Sequence, residues 1–292
     1  MPGNSRQLLR RRIKGVRETS KVTRAMEMIA SARMRRTEQR ALEARPYATR
    51  MTHLMGLVSA DAQVRLLHPY LRNQESARAL VVHFTTDKGL CGGLNSRLNH
   101  SLGAFVLEQP TPVDVAVVGK KGREFAVRAR LGLVAEFTDL GDAPGIADLR
   151  PLCRLVTDRF SRGEVGCVYL AYPRFLSLMV QRPVVELCLP VAPALAAVNA
   201  GQLFVYEPDT TRVLDALLIR YVEAAVYHAY LELVASEHAA RMVAMHNATD
   251  SATELADAMT MELNKSRQAA ITEEICDVSA GTEALSSGGN RG

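Results

Sequence analysis

The sequence predicts an α/β protein: two long terminal helices, paired as an antiparallel coiled coil, around a smaller central α/β domain. Three observations predict it. Apolar residues recur at steps of three and four over both ends of the chain, where Pro and Gly are scarce. The middle switches to short β-branched runs separated by helix-like stretches. The ends carry opposite charge: residues 1–50 hold fourteen Lys and Arg against four Glu, and residues 232–283 hold ten acidic against three basic residues.

The first helix is expected over 3–58, within an N-terminal coiled-coil segment 1–58. Leu9, Ile13, Val16, Val22, Met26, Ile29 and Met34 fall on one stripe, and no Pro interrupts the run until Pro46. Such a helix would extend ~80 Å, longer than a globular layer needs. The last helix is expected after Pro208, capped by Asp209 or Thr210, because neither Pro nor Gly recurs until Gly281. It defines a C-terminal coiled-coil segment 209–285, ahead of a loose tail, 286–292, of Ser, Gly, Asn and Arg. Its stripe is rich in Ala, which permits close helix approach, while the polar run 247–253 predicts local distortion. Between the ends, 77–195 reads as a Rossmann-like α/β domain with a mostly parallel sheet. Strands are expected at 79–84, 113–118, 165–171 and 184–187, helices near 93–107, 120–131 and 147–161, and a linker or edge region at Pro190–Pro208.

Composition excludes several classes. The 292 residues are 48% apolar but only 5% aromatic, with no Trp, which suits helix packing better than a sugar-binding groove. No run approaches eighteen uncharged apolar residues, so no membrane span is expected, and the start lacks a secretory apolar core. The five cysteines are widely separated and form no CxxC pair, which fits ordinary thiols in a reducing compartment.

The sharpest local feature is Thr85-Thr86-Asp87-Lys88-Gly89-Leu90-Cys91-Gly92-Gly93-Leu94-Asn95 after the first strand. Glycine-rich strand-to-helix turns can cradle phosphate, yet the spacing fits neither dinucleotide nor P-loop patterns, and Lys88 precedes the glycines. Gly89, Cys91, Gly92 and Gly93 are therefore read as a structural turn that lets backbone approach closely. Asp87 is read as a helix cap in preference to a metal ligand. Cys91 would be a nucleophile only if a base such as His83 or His100 met it in the fold. No HExxH or paired carboxylates appear, so no catalytic residue, metal site or cofactor site is assigned. The basic first helix lacks the aromatic platforms of a single-strand binder and the zipper of a DNA-binding arm. Residue chemistry alone leaves a rotor, or a scaffold or adaptor binding another protein or nucleic acid.

Three stretches carry a resemblance. Arg12-Ile13-Lys14 with Thr19 through Met34 closely resembles the opening of F-type ATP synthase gamma subunits of bacterial type, and so does Gly89 through Asn95. The third stretch runs from Glu237 through Met245, with Ala248-Thr249-Asp250, and continues from Asn264 to Ile275. The resemblance implies a rotary central shaft that couples rotation of a proton-driven ring to ATP synthesis or hydrolysis. It implies as partners a hexameric head of alpha and beta subunits, an epsilon subunit and a membrane ring of c subunits, with no nucleic acid. It implies no catalysis by this chain alone, no cofactor bound by it, and Mg-ATP or ADP held by the alpha and beta subunits. The implied location is peripheral, on the cytoplasmic side of a bacterial plasma membrane. By the same resemblance, Lys21, Arg24, Met26, Glu237, Arg241, Arg267, Gln268, Thr272 and Glu274 belong to coupling or head-contact regions. His246-Asn247 and the segment 141–150 depart from the family pattern.

Overall fold

The computed structural model describes residues 2–60, 68–71, 76, 78–191, 207 and 209–288. Helix α1 (Pro2–Ala60) and helix α5 (Thr210–Gly288) are the terminal elements. Between them lie strand β1 (Ala79–Phe84), helix α2 (Leu94–Glu108), strand β2 (Val113–Val118), helix α3 (Lys120–Arg128), strand β3 (Gly132–Phe137), helix α4 (Ile146–Ser161) and strands β4 (Cys167–Phe175) and β5 (Gln181–Leu189). By contacts the chain forms two compact units, one of residues 1–28 with 245–292 and one of 29–244.

In the larger unit the sheet order is β3-β2-β1-β4-β5, parallel throughout except that β5 runs antiparallel to β4. β1 and β2 are buried at every position because both faces of the sheet are covered, which is why their sequences are nearly continuous apolar runs. On one face Leu80, Val82 and Phe84 pack with Leu152, Val156 and Phe160 of α4, Val222 and Val226 of α5 and Met55 of α1. On the other, Val81, Val115 and Val117 pack with Leu102 of α2 and Ala126 of α3. Asp114 interrupts the apolar run of β2 and is itself buried, and it accepts hydrogen bonds from Arg78 and, at 2.9 Å, from Arg159. The two guanidinium groups offset the cost of taking that side chain out of water.

In the smaller unit the two helices pair antiparallel, the partner numbers falling on one helix as they rise on the other. Ser20 meets Thr253 at 3.3 Å, Thr23 meets Thr249 at 2.7 Å, and Glu27 meets His246 at 3.0 Å. The buried positions of this seam are Ile13, Thr23, Met245, Thr249 and Ala256. Thr23, Thr249 and Ala256 thus interrupt the bulky apolar knobs Ile13 and Met245 that a strong coiled coil would repeat.

Several expectations change. β3 is a fifth strand that the sequence reading missed. The helix before it stops at Arg128 instead of 131, as Arg130 adopts a left-handed φ of 54°, and the short run that follows alternates exposed with half-buried residues. β4 and β5 both extend to a tight hairpin, beyond the bounds read from their β-branched cores. The distortion expected at 247–253 is absent, since α5 is continuous there. Thr249 and Thr253 donate their hydroxyls to the carbonyls four residues back, at 2.8 and 2.9 Å, so they do not compete with the helix. The linker or edge region expected at Pro190–Pro208 falls mostly on 192–206 and 208, outside the described residues, as do residues 289–292 of the expected tail.

Candidate functional site

The candidate coupling residues fall on two different surfaces. In the smaller unit, Lys21, Arg24 and Met26 are all exposed on α1, with Lys21 paired to Glu18 at 3.0 Å. Arg24 lines a shallow groove with Glu27, Met28, His246, Asp250 and Glu254. His246, one of the departures from the family pattern, bridges this groove, contacting Glu27 at 3.0 Å and Asp250 at 3.5 Å. Arg267, Gln268, Thr272 and Glu274 are exposed on α5, and the Thr272 hydroxyl donates to the Gln268 carbonyl at 3.0 Å. Every residue from Ile271 to Ala280 is exposed, including Ile271, Ile275 and Val278.

Glu237 and Arg241 lie in the larger unit and are mostly buried, each with 14% of its side chain accessible. They pair at 2.5 Å across one helical turn, and Arg241 also donates to the Gly89 carbonyl at 3.2 Å. Burial raises the Glu237 carboxyl above the usual range, against the opposing pull of Arg241. Arg241 thus ties α5 to the glycine turn in place of facing outward.

The glycine turn is set by backbone conformation and not by the close approach expected of Gly89, Gly92 and Gly93: a Cβ at Gly89 or Gly93 would meet nothing within 4 Å. Leu90 and Gly92 adopt left-handed φ values of 62° and 58°. A Cβ on Gly92 would stand 3.7 Å from the Cβ of Ala244 on α5, and Cys91 packs with Leu94, Leu98 and Ala240. The Cys91 sulfur accepts from the Asn95 amide at 3.3 Å, with the Thr86 hydroxyl at 4.0 Å, and burial pushes its thiol up. His83 is occupied elsewhere, its Nε2 lying 2.9 Å from Oδ1 of Asn99. Among the described residues the only side chains hydrogen-bonded to the Cys91 sulfur are Thr86 and Asn95, and His100 is exposed on α2, so the geometry for nucleophilic attack is not assembled. Asp87 caps a helix, but not the next one: it accepts from the Lys120 N–H that opens α3, at 3.1 Å, and from the Asp139 N–H at 3.0 Å. Among the described residues no cluster of metal-ligating side chains occurs.

Around the Glu237–Arg241 pair is a polar cluster that sequence reasoning missed. Asp142 contacts Arg33 of α1 at 2.6 Å and the buried His238 at 3.3 Å, and the Tyr230 hydroxyl donates to the Gly141 carbonyl at 2.6 Å. These side chains line a cavity of about 190 Å³ at the carboxyl ends of β1, β2 and β3. Burial holds His238 below the ordinary histidine range. Residues 33, 142 and 238 are too far apart in the chain for spacing to signal the cluster.

The fold is thus that of an α/β protein with long terminal helices, its conspicuous side chains exposed on helices or held in internal ion pairs. The profile of the family described as ATP synthase matches residues 5–285. Two curated relatives, both called ATP synthase gamma chain, match nearly end to end. That of Dehalococcoides mccartyi strain 195 is 44% identical over 280 residues, covering 96% of this chain and 98% of the relative. That of Acidithiobacillus ferrooxidans is 42% identical over 283 residues, covering 95% and 98%. This chain belongs to the ATP synthase gamma chain family. Its fold is shared with a chain of the mitochondrial ATP synthase of Euglena gracilis, at a TM-score of 0.70 and 20% identity, over 99% of this chain and 97% of that one. A chain of the central stalk and c-ring structure from Tetrahymena thermophila also matches, at a TM-score of 0.62 and 22% identity, over 78% and 99%. No helix among the described residues is long and apolar enough to cross a membrane.

Proposed function

We propose that this chain is the rotary central shaft of a proton-translocating ATP synthase, coupling rotation of a membrane c-ring to ATP synthesis or hydrolysis in an alpha/beta head. The single observation that carries the reading beyond family membership is the end of α5. Ile271, Ile275 and Val278 stand 47%, 61% and 70% exposed beside the polar Arg267, Gln268, Thr272 and Glu274. A helix with apolar side chains exposed among charged ones suits a surrounding protein collar better than bulk water. The similar structures, a central stalk with its c-ring and an assembly of OSCP, F1 and c-ring, agree with that setting.

In this reading the chain is not itself catalytic. Mg-ATP and ADP bind to the alpha and beta subunits, and this chain binds no cofactor, metal or nucleic acid. Segments 1–58 and 209–285 form the shaft, and 77–195 carries contacts to the epsilon subunit and the c-ring. The chain sits peripherally, on the cytoplasmic side of a bacterial plasma membrane. Coupling requires contact free energies that differ between shaft angles, because equal contacts at every angle would shift no nucleotide site. Lys21, Arg24 and Met26 on α1, and Arg267, Gln268, Thr272 and Glu274 on α5, are exposed side chains able to make such contacts. Glu237 and Arg241 act indirectly, by holding the glycine turn against α5.

Replacing Arg267 and Gln268 by Ala tests the assignment in the reconstituted complex. Loss of one charged contact corresponds to roughly 1–3 kcal/mol, so ATP turnover and torque are expected to fall together while the subunits still assemble. Unchanged torque and turnover would remove these two residues from the coupling surface.

A further inference from the structure

We infer that Glu232 is a positioning residue for torque transfer, the point at which the α/β domain is locked against slip along α1 and α5; the inference rests on the shaft reading. A turning shaft loads such a domain sideways against its helices. Apolar burial is non-directional and resists sliding only where side chains interlock. Around the Phe175 ring the packing is made by Ala41, Ala235 and Ala239 beside Met34 and Leu231, so few large side chains interlock there. Hydrogen bonds of fixed direction are left to carry the load.

The Glu232 carboxylate joins three elements. It lies on α5 with 1% of its side chain exposed. One oxygen accepts from Arg45 of α1 at 2.7 Å, and the other accepts from the Phe175 N–H at the end of β4, also at 2.7 Å. Arg45 closes the ring by donating to the Phe175 carbonyl at 3.4 Å. One helical turn on, the buried Ser236 hydroxyl donates to the Pro173 carbonyl of the same strand at 3.4 Å. β4 is paired with β1 on one side and β5 on the other, so a pull on Phe175 passes into the sheet.

Other polar contacts between α5 and the domain are less suited to this task. Arg241 and Tyr230 reach the carbonyls of Gly89 and Gly141, which lie in connecting segments and not in strands. Asp142 also joins α1 to α5, through Arg33 and His238. Its side chain is 39% exposed and that of Arg33 53%, however, so solvent screens the pair. A buried bond of the same kind is electrostatically stronger. Stability alone does not call for a buried ion pair, because apolar residues of similar volume often serve as well or better. Directional hold is what the Arg45–Glu232 pair adds.

The test uses the complex reconstituted with alpha and beta subunits, its head fixed and a probe at exposed Leu107, watched during the long pauses at limiting ATP. Arg45→Met with Glu232→Gln removes the two charges together and keeps an acceptor for the Phe175 N–H, so no buried group is stranded. The angular variance of the probe within a pause should about double, since charge-assisted hydrogen bonds are roughly twice as strong as neutral ones. The urea midpoint of the purified chain should stay near wild type. Val117→Ala, which opens a cavity on the sheet face covered by α2 and α3, should do the reverse, lowering the midpoint and leaving the variance alone. A double variant with wild-type variance would overturn the inference, as would an equal rise in variance from Val117→Ala. If the double variant does not assemble, Glu232→Gln alone decides by the same outcomes. A wild-type probe that never turns would overturn the shaft reading itself, whereas a turning wild type with an unchanged variant removes only the role of Glu232.

Discussion

At Gly119 the backbone turns through a φ of 92°, and a Cβ placed there would lie 2.1 Å from the Thr85 carbonyl oxygen. Gly92 has a left-handed φ of 58° but ordinary clearance, and Gly93 has neither a left-handed φ nor any atom within 4 Å of a new Cβ. Alanine substitutions should rank accordingly. Gly119→Ala is expected to cost about 3 kcal/mol or more, Gly92→Ala about 1 kcal/mol, and Gly93→Ala within about 0.5 kcal/mol. Urea midpoints of the purified chain check the order, and a Gly93 variant weaker than the Gly119 variant would contradict it. His83 makes a pH prediction. Burial lowers its pKa from 6.5 to about 4, its hydrogen bond to Asn99 opposing that shift only partly. Above pH 6.5 both folded and unfolded chains hold it neutral. Below 6.5 the unfolded chain takes up a proton that the native site refuses, so stability falls between pH 6.5 and about 4, by about 3 kcal/mol in all. His83→Gln should flatten the loss between pH 7.5 and 5, though His228 and His238, also lowered by burial, keep part of it. An identical slope in the variant would remove His83 as a source.

The helices α1 and α5 approach each other through small residues. In the larger unit Ala41 of α1 and Ala235 and Ala239 of α5 are at most 1% exposed, packed with Met34 and Leu231. Ala235→Leu would force a longer side chain into that space and should cost about 1–3 kcal/mol by overpacking, read as a lowered urea midpoint; a neutral result would mean the packing there is looser than the burial implies. The long helices were legible because a period of three to four residues persisted over many turns. β1 and β2 were legible because burial on both faces makes them continuous apolar runs. β3 was not, since Gly132 to Phe137 is a short edge strand whose alternation is mild, and Gly132 reads as the stop of the preceding helix. The glycine turn read as a device for close backbone approach is not one: a Cβ at Gly89 or Gly93 would meet nothing within 4 Å and one at Gly92 only the Cβ of Ala244 at ordinary contact, so the left-handed φ of Gly92 is what calls for glycine there. The polar cluster was invisible: Arg33, Asp142 and His238 meet only through the fold. The coupling residues were reachable through family resemblance alone, because exposed Arg and Gln on a helix look like any solvated face.

Across the whole molecule, charge is the most informative sequence property. The basic first fifty residues and the acidic stretch 232–283 meet in the Arg45–Glu232 ion pair, yet most of their charges stay exposed and available to partners. Family membership over residues 5–285 gives those charges a setting in an ATP synthase. The central claim is that this chain turns. Its most direct test is reconstitution with the alpha and beta subunits and a probe fixed at exposed Leu107 in α2, watched while ATP is supplied. The account predicts unidirectional rotation in three steps per turn, keeping pace with ATP hydrolysis; a complex that assembles and hydrolyses ATP while the probe stays still would contradict it.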